Sequence, residues 1–206
     1  MIQAGKTDEI VWGEGNWLFL DIGFAHDAKS CGLLIGEGEP DCVQFSIAKE
    51  KIVSVAEHAS SSVNLVIEAP LSVCFTPAGN PSGRTVERNG SQTRYWYNGL
   101  GCAVMVAAMY LIRELHGARL KHVVRLFEGF VSYKDRTIPT NHRMDVWLLR
   151  QVVQNPQRFS SCIVAPEQLK QEPTDQIMSA FCVAGIDCGV PALIRQSVVS
   201  SHLEKS

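Results

Sequence analysis

Two stretches of the chain share one hydrophobic design. Trp17-Leu18-Phe19-Leu20 runs into Asp21-Ile22-Gly23, and Val63-Asn64-Leu65-Val66-Ile67 runs into Glu68-Ala69-Pro70. Each reads as an apolar strand that delivers an acid to its carboxyl end just before a turn. The side-chain period of a strand is two, so Asp21 shares a face with Phe19 and Trp17, and Glu68 shares one with Val66 and Asn64. A carboxylate beside apolar surface is costly unless a partner, hydrogen-bond donors or a metal ion compensates it. In open sheets with parallel strands, ligands bind outside the carboxyl ends of the strands. The matched acids are therefore the leading candidates for a site. Taken singly, Asp21 is also a plausible turn residue and Glu68 an ordinary ion-pair partner.

The same patterning predicts the remaining elements. Residues 31–35 read as a hairpin partner of 17–23, and 42–47 as a third strand, giving an antiparallel meander. From Ala48 the period lengthens, with Ile52, Val55, Ala56 and Ala59 at helical spacing before strand 63–69. Residues 99–116 form a strongly apolar helix, and 123–127 another strand, which ends in a third acid, Glu128. A helix over 141–154 shows Met144, Trp147, Leu148 and Val152 at helical spacing and stops at Asn155-Pro156. Residues 162–164 read as a short strand. Pro173-Thr174-Asp175 opens a last helix whose core face is Ile177, Ala180, Phe181 and Ala184, followed by a strand at 192–194. The organisation is one domain over 16–195 with a loop insertion at about 70–98, a poorly ordered lead-in at 1–15 and a frayed tail at 196–206.

Composition narrows the classes. A chain of 206 residues buries roughly 70% of its unfolded surface and needs no disulfides. Its seven cysteines form no Cys-x-x-Cys pair and lie mostly in apolar segments, so they read as reduced and structural, which implies a cytoplasmic setting. The amino terminus lacks the apolar core of a signal peptide, and the uncharged run 100–112 is too short to span a bilayer and suits a buried core helix. With 19 basic against 21 acidic residues there is no global attraction to nucleic acid or membrane. Any polyanion site must be a local patch.

One such patch is visible in the 70–98 loop, where Arg84, Arg88 and Arg94 stand near Tyr95-Trp96-Tyr97. Arginines beside aromatics can hold phosphates and stack bases; the same residues would equally serve as a lid or a partner surface. His142 and Asp145, three apart, fall on one helix face. That spacing suits a ligand pair as well as a solvated pair at a helix start. Asp175 sits where a helix dipole favours a carboxylate regardless of function.

Three antiparallel strands, a helix, a strand carrying an acid, a helix, a strand and a late helix starting with an acid is the ribonuclease H-like order. Leu20-Asp21-Ile22-Gly23, Val66-Ile67-Glu68-Ala69-Pro70, Phe127-Glu128-Gly129-Phe130 and Thr174-Asp175-Gln176-Ile177-Met178-Ser179-Ala180 resemble the predicted-nuclease family catalogued as domain of unknown function 429. The resemblance spans roughly residues 16–186. It implies an α/β fold, a mixed central sheet flanked by helices. It also implies that Asp21, Glu68 and Asp175 bind a pair of divalent ions, Mg2+ or Mn2+, that cut phosphodiester bonds of nucleic acid, with Glu128 and Asp145 as further acids of the site. Arg84, Arg88, Arg94, Trp96, Lys134, Arg136 and His142 are then the candidates for holding substrate phosphate and base. The competing expectation is a non-catalytic module of the same fold that binds nucleic acid or a protein partner, alone or as a homodimer. A sugar kinase of the actin-like class shares the Asp-x-Gly strand, but the chain is too short for that class's two domains.

Overall fold

The sequence alternates strands with helices because its apolar residues switch between period two and period 3.6, and the chain pairs those strands into one mixed sheet. The computed structural model describes residues 1–24, 30–133 and 141–196. In chain order the strands and helices are β1 Ile2–Ala4, β2 Asn16–Asp21, β3 Cys31–Ile35, β4 Asp41–Val43, α1 Phe45–His58, β5 Val63–Glu68, β6 Ser72–Phe75, β7 Pro81–Ser82, β8 Arg88–Asn89, β9 Gln92–Thr93, α2 Leu100–Gly117, β10 Val124–Phe130, α3 His142–Gln154, β11 Ile163–Val164, β12 Gln176–Ser179 and β13 Leu193–Arg195. Short 3₁₀ turns fill several of the connections.

The main sheet runs β11-β13-β10-β5-β2-β3-β4, with β1 also against β10. β2, β5 and β10 are parallel neighbours, whereas β2-β3-β4 is antiparallel. The fold is thus α/β, a mixed sheet flanked by helices, with the meander that the sequence predicts. Leu18, Leu20, Leu65, Ile67 and Leu126 face α1 and α2 in one core layer; Trp17, Phe19, Val66 and Phe127 face α3 in the other. The period-two argument accordingly puts Asp21 and Glu68 on the α3 side of the sheet.

Several elements differ from the reading of the sequence. Residues 1–15 are not a loose lead-in: β1 pairs in parallel with β10 through Ile2↔Val124, and Ile10 is buried. The third strand is shorter than 42–47, because α1 already begins at Phe45. The 70–98 segment is organised by a second sheet, β12-β6-β7, and a small hairpin, β8-β9. The expected last helix is a strand, with Gln176↔Phe75 and Ile177↔Cys74 pairing antiparallel to β6. Pairing with β6 satisfies backbone groups on both strands, and that outweighs the helical spacing of Ile177, Ala180, Phe181 and Ala184, because short apolar runs fit either period. β10 continues to Phe130, so Glu128 lies inside the strand and not at its end. Residues beyond Gln196 lie outside the described part.

α2 extends past Ile112 to Gly117, and by length and composition it is the one helix among the described residues apolar enough to cross a membrane. It is not wholly a core helix either. Ala108, Leu111, Ile112 and Leu115 pack on the sheet and α1, but only 22% of the helix is buried.

Burial of the cysteines makes stability sensitive to alkali. The Cys74 and Cys188 thiols are pushed up to about 11 by burial, and burial raises Cys31 as well. A raised thiol contributes stability that is fully present below the unfolded value and lost as pH climbs through the folded one. Urea denaturation should show constant stability up to about pH 9 and a progressive loss toward about pH 11. A flat profile across that window would contradict the burial of these thiols.

Candidate functional site

Asp21 closes β2 and Glu68 closes β5, and the parallel register pairs them directly. Two adjacent strands therefore end in carboxylates on the same face. Asp21 is 1% exposed, and Glu68 Oε1 accepts from the Val131 backbone N–H at 3.2 Å. Above this end of the sheet lies the start of α3. Asn141 caps that helix, its side-chain oxygen accepting from Met144 N at 3.0 Å, which is why the helix begins where His142 and Asp145 can turn inward. His142 Nδ1 lies 2.7 Å from Asp21 Oδ2, and Asp145 is buried. One ligand atom from each of Asp21, His142 and Asp145 falls within 4.8 Å of the others.

Glycines let the helix come this close. A Cβ on Gly32 of β3 would strike the His142 carbonyl, and one on Gly23 would strike the His142 imidazole and the Ser30 carbonyl oxygen. The amino-terminal end of α3, the positive end of its dipole, lies beside Asp21.

Asp21, Glu68, His142 and Asp145 line a pocket of about 640 Å³. Arg94, Tyr95, the beginning of α2, Phe24 and Phe130 line it as well. Arg94 is exposed, its Nη1 donates to the Thr93 carbonyl at 2.9 Å, and its guanidinium lies 5.9 Å from the Tyr133 ring centroid.

The structure brings together Asp21, Glu68, Asp145, His142 and Arg94, and it separates the others. Asp175 is not among the described residues lining the pocket. Its carboxylate accepts from Glu172 N at 3.3 Å and from Ser82 Oγ at 3.5 Å, closing a turn before β12 instead of opening a helix. Glu128 has the parity of Leu126 and so points to the face away from Asp21. There it is fully buried and meets Arg84 Nη1 at 2.6 Å, the Leu71 and Ser72 amides and the Ser72 hydroxyl. Burial pushes its carboxyl up, and the Arg84 charge opposes this.

Arg84 is equally buried, bridging Glu128 and Glu87, the latter at 2.9 Å, so it is a structural cation and not a substrate contact. Trp96 is also buried; its indole N–H donates to the Ser82 carbonyl at 3.0 Å, and its ring packs edge-on against Phe75. Arg88 sits on the β8-β9 hairpin, its Nε donating to the Gly90 carbonyl at 3.3 Å, and does not line the pocket. Lys134 and Arg136 lie outside the described residues.

Sequence reasoning did not single out Phe24 or Gly32. Gly23, two residues after the strand acid, marks the turn locally, but its close approach to His142 has no local signal. Comparison with protein-family models, curated proteins and solved structures gives no match to this chain.

Two substitutions test this geometry. Arg84→Ala leaves Glu87 and Glu128 buried without their cation and should cost about 3–5 kcal/mol in urea denaturation. Gly32→Ala forces the start of α3 outward and should cost about 1–3 kcal/mol, whereas Gly117→Ala, whose Cβ meets nothing within 4 Å, serves as the neutral control.

Proposed function

We propose that this chain is a ribonuclease H-like, divalent-metal-dependent nuclease or phosphodiesterase that hydrolyses nucleic-acid phosphodiester bonds. The observation that carries the reading is the meeting of Asp21, Asp145 and His142 within 4.8 Å, with Glu68 paired to Asp21 across the β2-β5 register. The sheet order supports it too, since the acid-bearing first strand lies between its antiparallel hairpin partner and the parallel strand that carries the second acid. Asp145, from the helix after β10, takes the role that the resemblance gave to Asp175.

The donor set fits the expected ions. The carboxylates of Asp21 and Asp145 and the His142 imidazole offer ligand atoms within 4.8 Å of one another, with Glu68 on the next strand, and hard oxygen donors of this kind suit a divalent ion that keeps waters and takes a substrate phosphate. Bound there, Mg2+ or Mn2+ would activate an attacking water and neutralise the leaving oxygen of an in-line displacement. Asp21 would be the central ligand, with Glu68 beside it on the next strand and Asp145 close by on α3. His142 fixes the Asp21 carboxylate through its 2.7 Å contact, and it tilts the site toward Mn2+, because imidazole prefers metals later in the divalent series than Mg2+. Arg94, which lines the same pocket, would hold a phosphate by charge-assisted donation. The competing non-catalytic module would use the aromatic loop at 94–97, in which Trp96 is buried while Arg94 and Tyr97 are exposed.

Calorimetry should register Mn2+ uptake tighter than Mg2+ by about tenfold or more. Asp21→Asn keeps an oxygen for His142 and so should leave the melting temperature unchanged or raised, while cleavage of a mixed-sequence oligonucleotide falls by about 1000-fold or more. Absence of metal uptake, or cleavage that survives Asp21→Asn, would remove this site from consideration.

A further inference from the structure

Among the described residues one non-glycine backbone adopts the left-handed conformation, that of Tyr133 at φ 62°. A bulky side chain is strained there, and such strain persists where the surrounding contacts over-determine it. Tyr133 lies just past the end of β10, in the stretch whose Phe130 and Ser132 line the pocket. Its ring packs against Phe130 with 6.1 Å between centroids. Its hydroxyl is buried and has no hydrogen-bond partner among the described residues. The strained backbone therefore presents the face of the ring, not the hydroxyl.

What the ring meets is Arg94. The guanidinium carbon lies 5.9 Å from the ring centroid, inside the range over which an aromatic face attracts a cation. The backbone of Arg94 is already fixed. Its N–H donates to the Glu87 carbonyl at 2.8 Å, Glu87 is tied to buried Arg84, and the next residue, Tyr95, stacks on Tyr97 with 5.2 Å between centroids. The Arg94 side chain itself is exposed, and a long exposed side chain has rotamer freedom to lose when it holds a ligand. Two contacts restrict it: the Thr93 carbonyl, 2.9 Å from Nη1, and the Tyr133 ring. Thr93 belongs to the same hairpin and moves with Arg94. The ring ties the guanidinium to the end of β10, the strand paired with acid-bearing β5.

Resting on the nuclease reading above, we infer that Tyr133 is a positioning residue whose ring holds the Arg94 guanidinium ready for a substrate phosphate. Arg94 supplies the charge. Tyr133 removes, before binding, side-chain freedom that would otherwise be lost at each encounter with substrate. The left-handed backbone at Tyr133 is what this placement costs the fold.

The test is Mn2+-supported cleavage of an end-labelled oligonucleotide by the wild-type chain, Tyr133→Phe, Tyr133→Leu, Arg94→Gln and the double variant Tyr133→Leu/Arg94→Gln, with Mn2+ uptake of each followed by calorimetry. Tyr133→Leu should raise KM about 2- to 5-fold with kcat and metal uptake held, the weight of one cation–ring contact. Tyr133→Phe keeps the ring and should keep the wild-type KM. In the Arg94→Gln background Tyr133→Leu should add nothing, whereas a merely structural role would bring its full loss there too. Should Tyr133→Leu fail to fold, Tyr133→Gly, which adopts φ 62° without steric cost, carries the same comparison. A KM unmoved by loss of the ring, an equal loss in Tyr133→Phe, or losses that add in the double variant overturn this inference, while cleavage itself leaves the nuclease reading standing. Should Mn2+ be taken up without cleavage, the catalytic reading falls, and the Kd of the labelled strand in Mn2+, read by fluorescence anisotropy, replaces KM in the same comparison. No metal uptake removes the nuclease reading and this inference with it.

Discussion

Everything at the site depends on one register: Asp21 and Glu68 paired across β2 and β5. A slip of one residue along either strand would turn its whole set of side chains to the other face, sending its acid into the α1/α2 core and an aliphatic residue into the pocket. The register is secured by the two core layers. Trp17, Phe19 and Val66 belong with α3, while Leu18, Leu20, Leu65 and Ile67 belong with α1 and α2, so a shifted strand would exchange its aliphatic and aromatic layers and bury its acid among apolar side chains. The catalytic proposal thus inherits its precision from hydrophobic packing several residues back along each strand.

A second constraint keeps the pocket residues Arg94 and Tyr95 in place. The segment after β5 leaves the main sheet and would be a long, floppy insertion without an anchor. Arg84 supplies one, tying Glu87 of that segment to Glu128 of the central strand β10 and to the Ser72 hydroxyl. A buried ion pair of this kind gives little net stability, but breaking it is expensive. Its value here is positional: it fixes the start of the insertion, and β6, β12 and the buried Trp96 hold the rest, so that Arg94 and Tyr95 are left at the pocket edge.

What could be seen in the sequence divides along the range of the interactions. Asp21 and Glu68 were legible because a strand that ends in an acid is a local pattern, and the helix carrying His142 and Asp145 was legible from its spacing. The helix expected after Asp175 is a strand, because the run satisfies helical spacing locally and only its pairing with residues 72–75, about a hundred positions earlier, makes it a strand. Arg84 looked like a phosphate contact because its clustering with Arg88, Arg94 and three aromatics is visible locally, whereas its partner Glu128 is 44 residues away. The first residues looked disordered for the same reason, their strand partners beginning at Val124. Which arginine meets solvent and which meets a buried acid is a tertiary fact with no short-range signature.

The pairing of β1 with β10 also sets an order of assembly. β2, β3 and β4 need only near neighbours to form their meander, but β1 has no strand to join until β10 is in place, a separation that adds loop-closure entropy to late steps. β13 takes the same edge of β10 directly after β1, so both arrive at a template made in mid-chain. β10 is therefore the strand through which residues 2–4 and 193–195 both join the sheet, each at the loop-closure cost set by its distance along the chain.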